Sequence, residues 1–330
     1  MHRNNMPENW QPPAPAWAAK WQGESNFVVA YFGCQSSCID SLSEWAINAL
    51  NANHGPLRIE QGTFTDNAGV SNHLYIAYWL ASEYQQWWNC AANNQWWRDE
   101  QREQEGVGFF REIISMPIER FETLHSTTTP HGISTTAQTL EGPIMEHGYA
   151  GAMRDRIPLS ATESLQNQFD ASVQFQATRN TNNKRVIVTP PENLCVIRSG
   201  QNWSECDEEQ KRMYLSKVHP TLKKGMAFLQ NNPAKSGCLS MRFVDVKDEN
   251  WQPMEQSFGL GLATDIYAFE EWAKSHATHL AIFERFMEMV MTFGDNLQLK
   301  LWHEVSVLPA EECEFEYINC HPETGLLKYC

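Results

Sequence analysis

Short apolar runs alternate along the chain with segments of helical spacing, and this pattern predicts an α+β fold. The apolar runs are rich in β-branched and aromatic residues, which favour strands, whereas apolar residues that recur every three or four positions favour helices. Strands are predicted over 27–32, 74–80, 185–188, 194–197, 238–244 and 257–262. Helices are predicted over 39–50, about 83–97 and about 207–230, with a kink or break in the last at Pro220.

A strictly alternating segment, 297–307, places one histidine among apolar residues. The odd positions are apolar except His303, so His303 is expected on the buried face of a strand. An unpaired buried polar group costs roughly 2–7 kcal/mol, and a partner or a pocket is therefore implied. Two interpretations stay open: a hydrogen bond to the backbone, and a general acid/base.

The segment from Trp272 to Phe283 is predicted as a helix with two histidines. One helical face would hold Trp272, His276, His279, Phe283, Phe286 and Val290. A cap at Ser275 would instead start a new helical turn and break this register. The histidines are either ordinary core residues or metal or haem ligands, because a lone helical imidazole facing an apolar pocket commonly holds haem iron. Periodicity does not choose between His276 and His279.

The order of elements repeats weakly in the two halves of the chain. We predict an N-terminal extended arm, 1–24, and a single domain, 25–330, built from two pseudo-repeats at about 25–135 and 136–330. The expected fold class is α+β, with duplicated ferredoxin-like halves forming a β-barrel-like core of the dimeric α+β barrel type, flanked by helices. The 330 residues suffice for a sizeable core.

Charge and targeting signals narrow the function classes. The formal net charge is −15 and no basic cluster is present, which argues against a nucleic-acid partner. No apolar run reaches the roughly 18 residues of a membrane span, and no signal peptide is apparent at the start. A cytoplasmic protein without membrane contact is expected.

The nine cysteines are scattered, and we expect free thiols. Cys34 and Cys38 are the closest pair, but no second pair completes a zinc site. No Cys-x-x-Cys-His occurs, so any haem would be bound non-covalently.

Three other polar residues have ordinary interpretations when each is taken alone. Ser199 lacks the Gly-x-Ser-x-Gly frame of a nucleophilic serine and suits a turn at a strand end. Arg156, with Arg154, follows a predicted glycine-rich strand at 148–153 and suits a surface ion pair. Glu122 suits a solvated carboxylate.

Together, these segments resemble the haem-containing aldoxime dehydratases. The resemblance runs from Gln11 to Gly325 and rests on ordered landmarks: Phe109-Phe-Arg-Glu-Ile, Phe121-Glu-Thr-Leu, Glu146-His-Gly-Tyr, Met153-Arg-Asp-Arg, Ile197-Arg-Ser-Gly-Gln, Ser275-His-Ala-Thr-His-Leu, His303-Glu-Val-Ser-Val and Glu316-Tyr-Ile-Asn-Cys-His-Pro. Many ordered landmarks are more specific than any single motif.

The resemblance implies a lyase that converts an aldoxime to a nitrile and water with ferrous haem b. It implies that His279 is the proximal iron ligand and His303 the distal acid/base. Ser199 would hydrogen-bond the oxime, while Arg156 and Glu122 would tune His303. A homodimer is also implied.

One departure from the family pattern is visible. The interval from His279 to His303, 303 − 279 = 24 residues, is a few residues longer than is usual, and we place the extra residues at 293–296. This leaves the preference between aryl and alkyl substrates open. Two other classes stay open as well, namely a peroxidase-like haem oxidoreductase and a non-catalytic haem-binding protein.

Overall fold

The fold is α+β, with one large antiparallel sheet and helices on its outer face. The computed structural model describes residues 5–23, 26–36, 39–167, 174–180 and 182–330. None of the helices in these ranges combines the length and the apolar character that a membrane span needs.

Fourteen strands are described, and most predicted strands are among them. They are β1 (Ala18–Lys20), β2 (Asn26–Gln35), β3 (Arg58–Thr65), β4 (Ser71–Leu80), β5 (Gly108–Pro117), β6 (Phe121–His125), β7 (Thr139–Glu141), β8 (Gln176–Arg179), β9 (Arg185–Thr189), β10 (Cys195–Asn202), β11 (Cys238–Lys247), β12 (Pro253–Ala263), β13 (Lys300–Val307) and β14 (Glu314–Ile318).

Nine α-helices are described in the same ranges. They are α1 (Asp40–Ala49), α2 (Ala81–Asn89), α3 (Ala91–Arg98), α4 (Ala152–Arg156), α5 (Glu208–Met213), α6 (His219–Asn231), α7 (Pro233–Ser236), α8 (Ile266–Ser275) and α9 (Ala277–Phe293). A π-helical turn, Tyr214–Val218, joins α5 to α6, so the predicted break near Pro220 is a local widening within one helical segment.

The two halves of the sheet have corresponding strand orders. The full order is β6-β13-β10-β12-β11-β3-β4-β2-β5-β14-β9-β8, and the halves meet where β3 pairs with β11. The N-terminal set, β3-β4-β2-β5, and the C-terminal set, β11-β12-β10-β13, place their strands in the same relative positions.

One face of the sheet encloses a common core. Tyr78 of β4 donates a hydrogen bond to Glu304 of β13 across 226 residues of sequence, and Arg242 of β11 pairs with Glu112 of β5. Contacts between strands so far apart in the sheet order require the sheet to curl. The predicted closure into a barrel is nevertheless absent among the described strands, where β6 and β8 remain as edges.

The outer layer of the N-terminal half is filled by tryptophans. Trp45, Trp79, Trp87 and Trp97 are at most 5% exposed and pack around Phe32. Ring centroids are 4.7 Å apart for Trp79 and Trp87, and 5.4 Å for Trp45 and Trp97. We call these four residues the tryptophan layer. They form a closely packed core on the outer face of this half of the sheet.

The outer layer of the C-terminal half is divided into two clusters. The α8 cluster is centred on Met226, Phe269 and Val305, with Ile282 of α9 at its margin. The Trp203 cluster is centred on Trp203 and Met289, with Leu301 and Phe286 at its margin. Because α9 joins both clusters, it is held against the sheet at two points.

The N-terminal arm packs on the body through two of its tryptophans. Trp10 donates to the carbonyl of His147, and Trp21 donates to Thr136 while packing on Phe121. Residues 1–4 and 24 of the predicted arm lie outside the described residues, as does Cys38 of the Cys34 pair. Among the described residues, the other eight cysteines form no disulfide bond.

The alternation predicted for 297–307 is wrong in one respect. The strand begins at Lys300, and the face opposite His303 is the more deeply buried one, with Trp302, Glu304 and Ser306 all under 9% exposed. Both faces of this strand are covered, so polar residues expected in solvent lie in the inner core instead.

Candidate functional site

His303 contacts an arginine and a carboxylate at the same ring nitrogen. Its Nε2 lies 2.8 Å from Nη2 of Arg156 and 2.9 Å from Oε1 of Glu122. Arg156 also donates a hydrogen bond to each carboxylate oxygen of Glu122, at 2.8 and 2.9 Å. The structure therefore brings together three of the residues that the resemblance implies.

The Glu122 carboxylate is held ionised. Burial alone would raise its pKa, but the neighbouring Arg156 and His303 outweigh burial and lower the pKa of Glu122 to about 2.

Nε2 of His303 can be satisfied in either protonation state. A protonated Nε2 donates to Glu122, and an unprotonated Nε2 accepts from Arg156. A residue that must give up a proton and then regain it needs such an arrangement.

Arg156 is fixed by a short helix rather than by the predicted strand at 148–153. The helix α4 follows Gly151, which has a positive φ of 86° that glycine adopts readily. Asp155 is anchored by Asn5 and by Tyr149 at 2.6 and 2.9 Å. Nη1 of Arg156 donates to the carbonyl of Glu146 at 2.5 Å. The surface ion-pair interpretation suits Arg154, which binds Glu270, but not the buried Arg156.

Ser199 stands directly opposite His303. The two residues are register partners on the antiparallel strands β10 and β13, so both side chains lie on the outer face of the sheet. Both are half-buried, and no described residue hydrogen-bonds with the Ser199 hydroxyl. That hydroxyl is thus available to a ligand that reaches His303.

The predicted single helix over 272–283 is two helices, α8 and α9, with a break at His276. Nδ1 of His276 caps α9 by accepting from the backbone N–H of Thr278 at 3.3 Å. Its ring stacks on Phe228 with centroids 3.9 Å apart. The common face predicted for Trp272, His276 and His279 is therefore wrong, because the register changes at His276.

His279 lies in the first turn of α9 beside an indole. Its ring centroid is 4.8 Å from that of Trp272, and its buried Nδ1 has no hydrogen-bonding partner of ordinary geometry among the described residues. Burial lowers the pKa of His279, although the Ala273 backbone opposes this effect. The ring is thus held neutral, which is the form that ligates a metal.

The surroundings of His279 fit a haem. Leu280 and Phe283 are 48% and 54% exposed, an unusual exposure for large apolar side chains around a half-buried imidazole. The α8 and Trp203 clusters hold α9 against β13 on either side of His303, through Val305 and Leu301. Apolar surface between a lone imidazole and a polar distal group is what a haem pocket requires.

A separate cavity of about 530 Å³ is lined in part by Glu122 and Arg156. The arm, β6 and the segment 143–146 enclose it with mainly apolar side chains. Its lining includes Glu122 and Arg156 but none of His279, Ser199 or His303. The cavity therefore contacts Glu122 and Arg156 but not His303.

A helical imidazole in an apolar setting and a second histidine held by charged partners are the features expected of a haem enzyme that uses acid–base chemistry. The sequence model of haem-containing dehydratases matches residues 30–326. The chain belongs to this family. The predicted family, the haem cofactor and the lyase class are thereby confirmed.

Named relatives cover nearly the whole chain. A phenylacetaldoxime dehydratase from Bacillus sp. (strain OxB-1) is 33% identical over 98% of this chain and 94% of its own length. An aliphatic aldoxime dehydratase from Pseudomonas chlororaphis is 34% identical over 98% and 93%. The crystal structure of an aldoxime dehydratase with butyraldoxime superposes with a TM-score of 0.91 at 33% identity, covering 99% of this chain and 92% of that one.

Sequence reasoning missed the anchors of the site more than its reactive groups. The carbonyl of Glu146 and the carboxylate of Asp155 orient Arg156, yet neither has a distinctive spacing in the sequence. The cap at His276 had a signal, since a polar residue before an apolar helical run is a common helix start.

Proposed function

We propose that this protein dehydrates aldoximes, R-CH=N-OH, to nitriles, R-C≡N, with His279 holding haem and His303 acting as acid and base. The observation that carries the proposal is the contact of one His303 nitrogen with both Glu122 and Arg156, opposite Ser199. The family membership supports the chemistry, and the printed names of the relatives support the substrate class.

His279 would hold the haem iron through a ring nitrogen. When bound, ferrous haem would supply an electron-rich iron that takes the oxime nitrogen as a ligand and so weakens the N–O bond. The protein must then provide for the two protons of the reaction.

His303 would handle both protons. Hydroxide is a poor leaving group, so the protonated ring donates a proton to the oxime oxygen as the N–O bond breaks and water leaves. The neutral ring then removes the C–H proton, and the nitrile forms with no net change in the ring. Glu122 would stabilise the charged ring. Arg156 would orient Glu122 and donate a hydrogen bond to Nε2 of His303 when that nitrogen carries no proton.

Ser199 would orient the leaving oxygen. Its free hydroxyl faces the same side as His303 and can donate a hydrogen bond to the oxime. Such a bond aligns the oxygen with the proton donor, which lowers the entropic part of the barrier.

The proposal extends to substrate range, fold origin and assembly. Alkyl and arylalkyl aldoximes are the expected substrates, because the relatives are named for both. The corresponding strand orders support an origin by duplication of a ferredoxin-like unit, each built as β-α-β-β-α-β. A homodimer and a cytoplasmic location are also proposed.

The test is nitrile formation by the reduced haem protein with a panel of alkyl and arylalkyl aldoximes. His303→Ala should keep its Soret band and lose about 10²–10⁴-fold in turnover. Ser199→Ala should reduce turnover less and also leave the haem spectrum intact. Nitrile formation by His303→Ala at the wild-type rate would refute the acid–base role, and absence of nitrile from wild-type holoenzyme would refute the function.

A further inference from the structure

Two charged residues lie directly behind the proposed reactive pair. On β10 and β13, Ser199 is opposite His303, and the next pair in register is Arg198 opposite Glu304. Successive residues of a strand point to opposite faces, so Arg198 and Glu304 face the inner core while Ser199 and His303 face outward. The register between β10 and β13 therefore sets the alignment of both pairs.

The inner pair is deeply buried and well connected. Arg198 is 1% exposed; its guanidinium lies 3.3 Å from Oε1 of Glu304, and 2.7 Å from Glu60 of β3. Tyr78 of β4 donates to the same Glu304 oxygen at 2.9 Å and also contacts Arg198. The second Glu304 oxygen accepts from the backbone N–H of Ile133 at 2.8 Å.

These contacts join the catalytic strands to the other half of the sheet. Arg198 and Glu304 belong to the C-terminal half, whereas Glu60 and Tyr78 belong to the N-terminal half. Aromatic rings enclose the guanidinium, with Phe258 centred 4.1 Å from its carbon. Removing one partner would leave an uncompensated charge in this core.

A register error here would be especially harmful. A slip of one residue between β10 and β13 would move Ser199 and His303 to opposite faces of the sheet. It would also turn either Arg198 or Glu304 towards the apolar outer clusters and part the two charges, which opposes the slip.

We propose that Arg198 and Glu304 are positioning residues that fix the β10–β13 register and thereby align Ser199 with His303. Both side chains face the inner core, on the opposite side of the sheet from Ser199 and His303. The inference rests on the proposed function, since alignment matters only if Ser199 and His303 act together on the oxime.

The molecule contains a matched control for this pair. Arg242 and Glu112 form an equally buried ion pair of the inner core, with two hydrogen bonds of 2.7 and 2.6 Å, but they lie on β11 and β5. Glu112→Gln should perturb the core as strongly as Glu304→Gln without affecting the strands of Ser199 and His303.

The experiment compares haem content and turnover number for wild type, Glu304→Gln and Glu112→Gln. Burial raises the pKa of Glu304 to about 7 although Arg198 opposes this effect, so assays at pH 8 keep the carboxylate ionised in the wild type. We expect Glu304→Gln to lower kcat at least about tenfold with an intact Soret band, and Glu112→Gln to stay within about threefold of wild type; an alignment loss of tenfold corresponds to about 1.4 kcal/mol.

A double-mutant cycle separates alignment from general damage. If Glu304 acts through the Ser199–His303 alignment, Glu304→Gln should cost clearly less in the Ser199→Ala background than in the wild type. Additive losses, an equal loss in Glu112→Gln, or a Glu304→Gln kcat within threefold of wild type would each overturn the proposal. Should Glu304→Gln fail to accumulate, Arg198→Lys, which keeps the charge but loses the planar fork, is assayed against the same expectations. Turnover by the wild type, measured in parallel, tests the proposed function independently.

Discussion

The Nε2 atom of His303 lies 2.9 Å from the Glu122 carboxylate, and Glu122 itself accepts two hydrogen bonds from Arg156. A buried carboxylate without that arginine would tend to take up a proton. With it, Glu122 keeps a charge that stabilises the imidazolium, and Arg156 serves the neutral ring. In the proposed mechanism, this trio lets His303 donate a proton without fixing the ring in one state.

Replacement of Glu122 by Gln should slow turnover without removing haem. The amide keeps the shape but removes the negative charge that faces the His303 ring, so an imidazolium formed during turnover loses its counter-charge. We expect kcat to fall roughly 10- to 100-fold, measured as nitrile formation by the reduced holoenzyme. A wild-type kcat in a variant with normal haem content would contradict the role of Glu122.

The same carboxylate predicts a dependence of stability on acid. The folded-state pKa of Glu122 is about 2, against 4.5 ordinarily, so its contribution is complete above pH 4.5 and is lost as pH falls towards 2. Wild type should therefore lose about 2 kcal/mol more unfolding free energy than Glu122→Gln between pH 5 and pH 2.5. Chemical denaturation at the two pH values measures this, and Glu249→Gln on the surface should behave as the wild type does.

The two histidines near the start of α9 should differ in their effect on haem. His279→Ala should abolish the Soret band, because it removes the ligand. His276→Ala should cost about 1 kcal/mol through loss of the helix cap but retain the band. Absorption spectra of the two variants, purified with equal haem supply, decide the assignment; retention of the band in His279→Ala would transfer the ligand role elsewhere.

Two glycines allow a test of strand geometry at the site. A Cβ at Gly200, next to Ser199, would meet the Trp302 ring at 2.1 Å, and a Cβ at Gly33 would meet the Phe110 ring at the same distance. Alanine at either position should cost about 1–3 kcal/mol by overpacking. Only Gly200→Ala displaces the strands of Ser199 and His303, so only that variant should lose turnover per bound haem. Equal turnover in the two variants would show that the site tolerates such displacement.

Periodicity alone predicted the α+β class, most of the strands and the helical character of the segment that carries His276 and His279. It could do so because the spacing of apolar residues follows the geometry of strands and helices. It failed at 297–307, where the inner face holds Glu304: its partners Tyr78 and Arg198 lie on strands distant in sequence, and no local pattern reports them. The role of Arg156 likewise depends on a bond to Glu122, 34 residues earlier, so only the family resemblance pointed to it. The break at His276 rests on a cap that competes with helix continuation, a choice that spacing leaves open.

The tryptophan layer has a consequence for stoichiometry. In the C-terminal half, α9 and the sheet leave a half-exposed histidine and serine between two clusters, whereas the corresponding layer of the N-terminal half is occupied by indole rings in mutual contact. A second porphyrin in the N-terminal half would have to displace several buried tryptophans. The helices α2 and α3 contain no histidine that could bind its iron. Titration with haem should therefore saturate at one equivalent per chain, despite the repeated architecture.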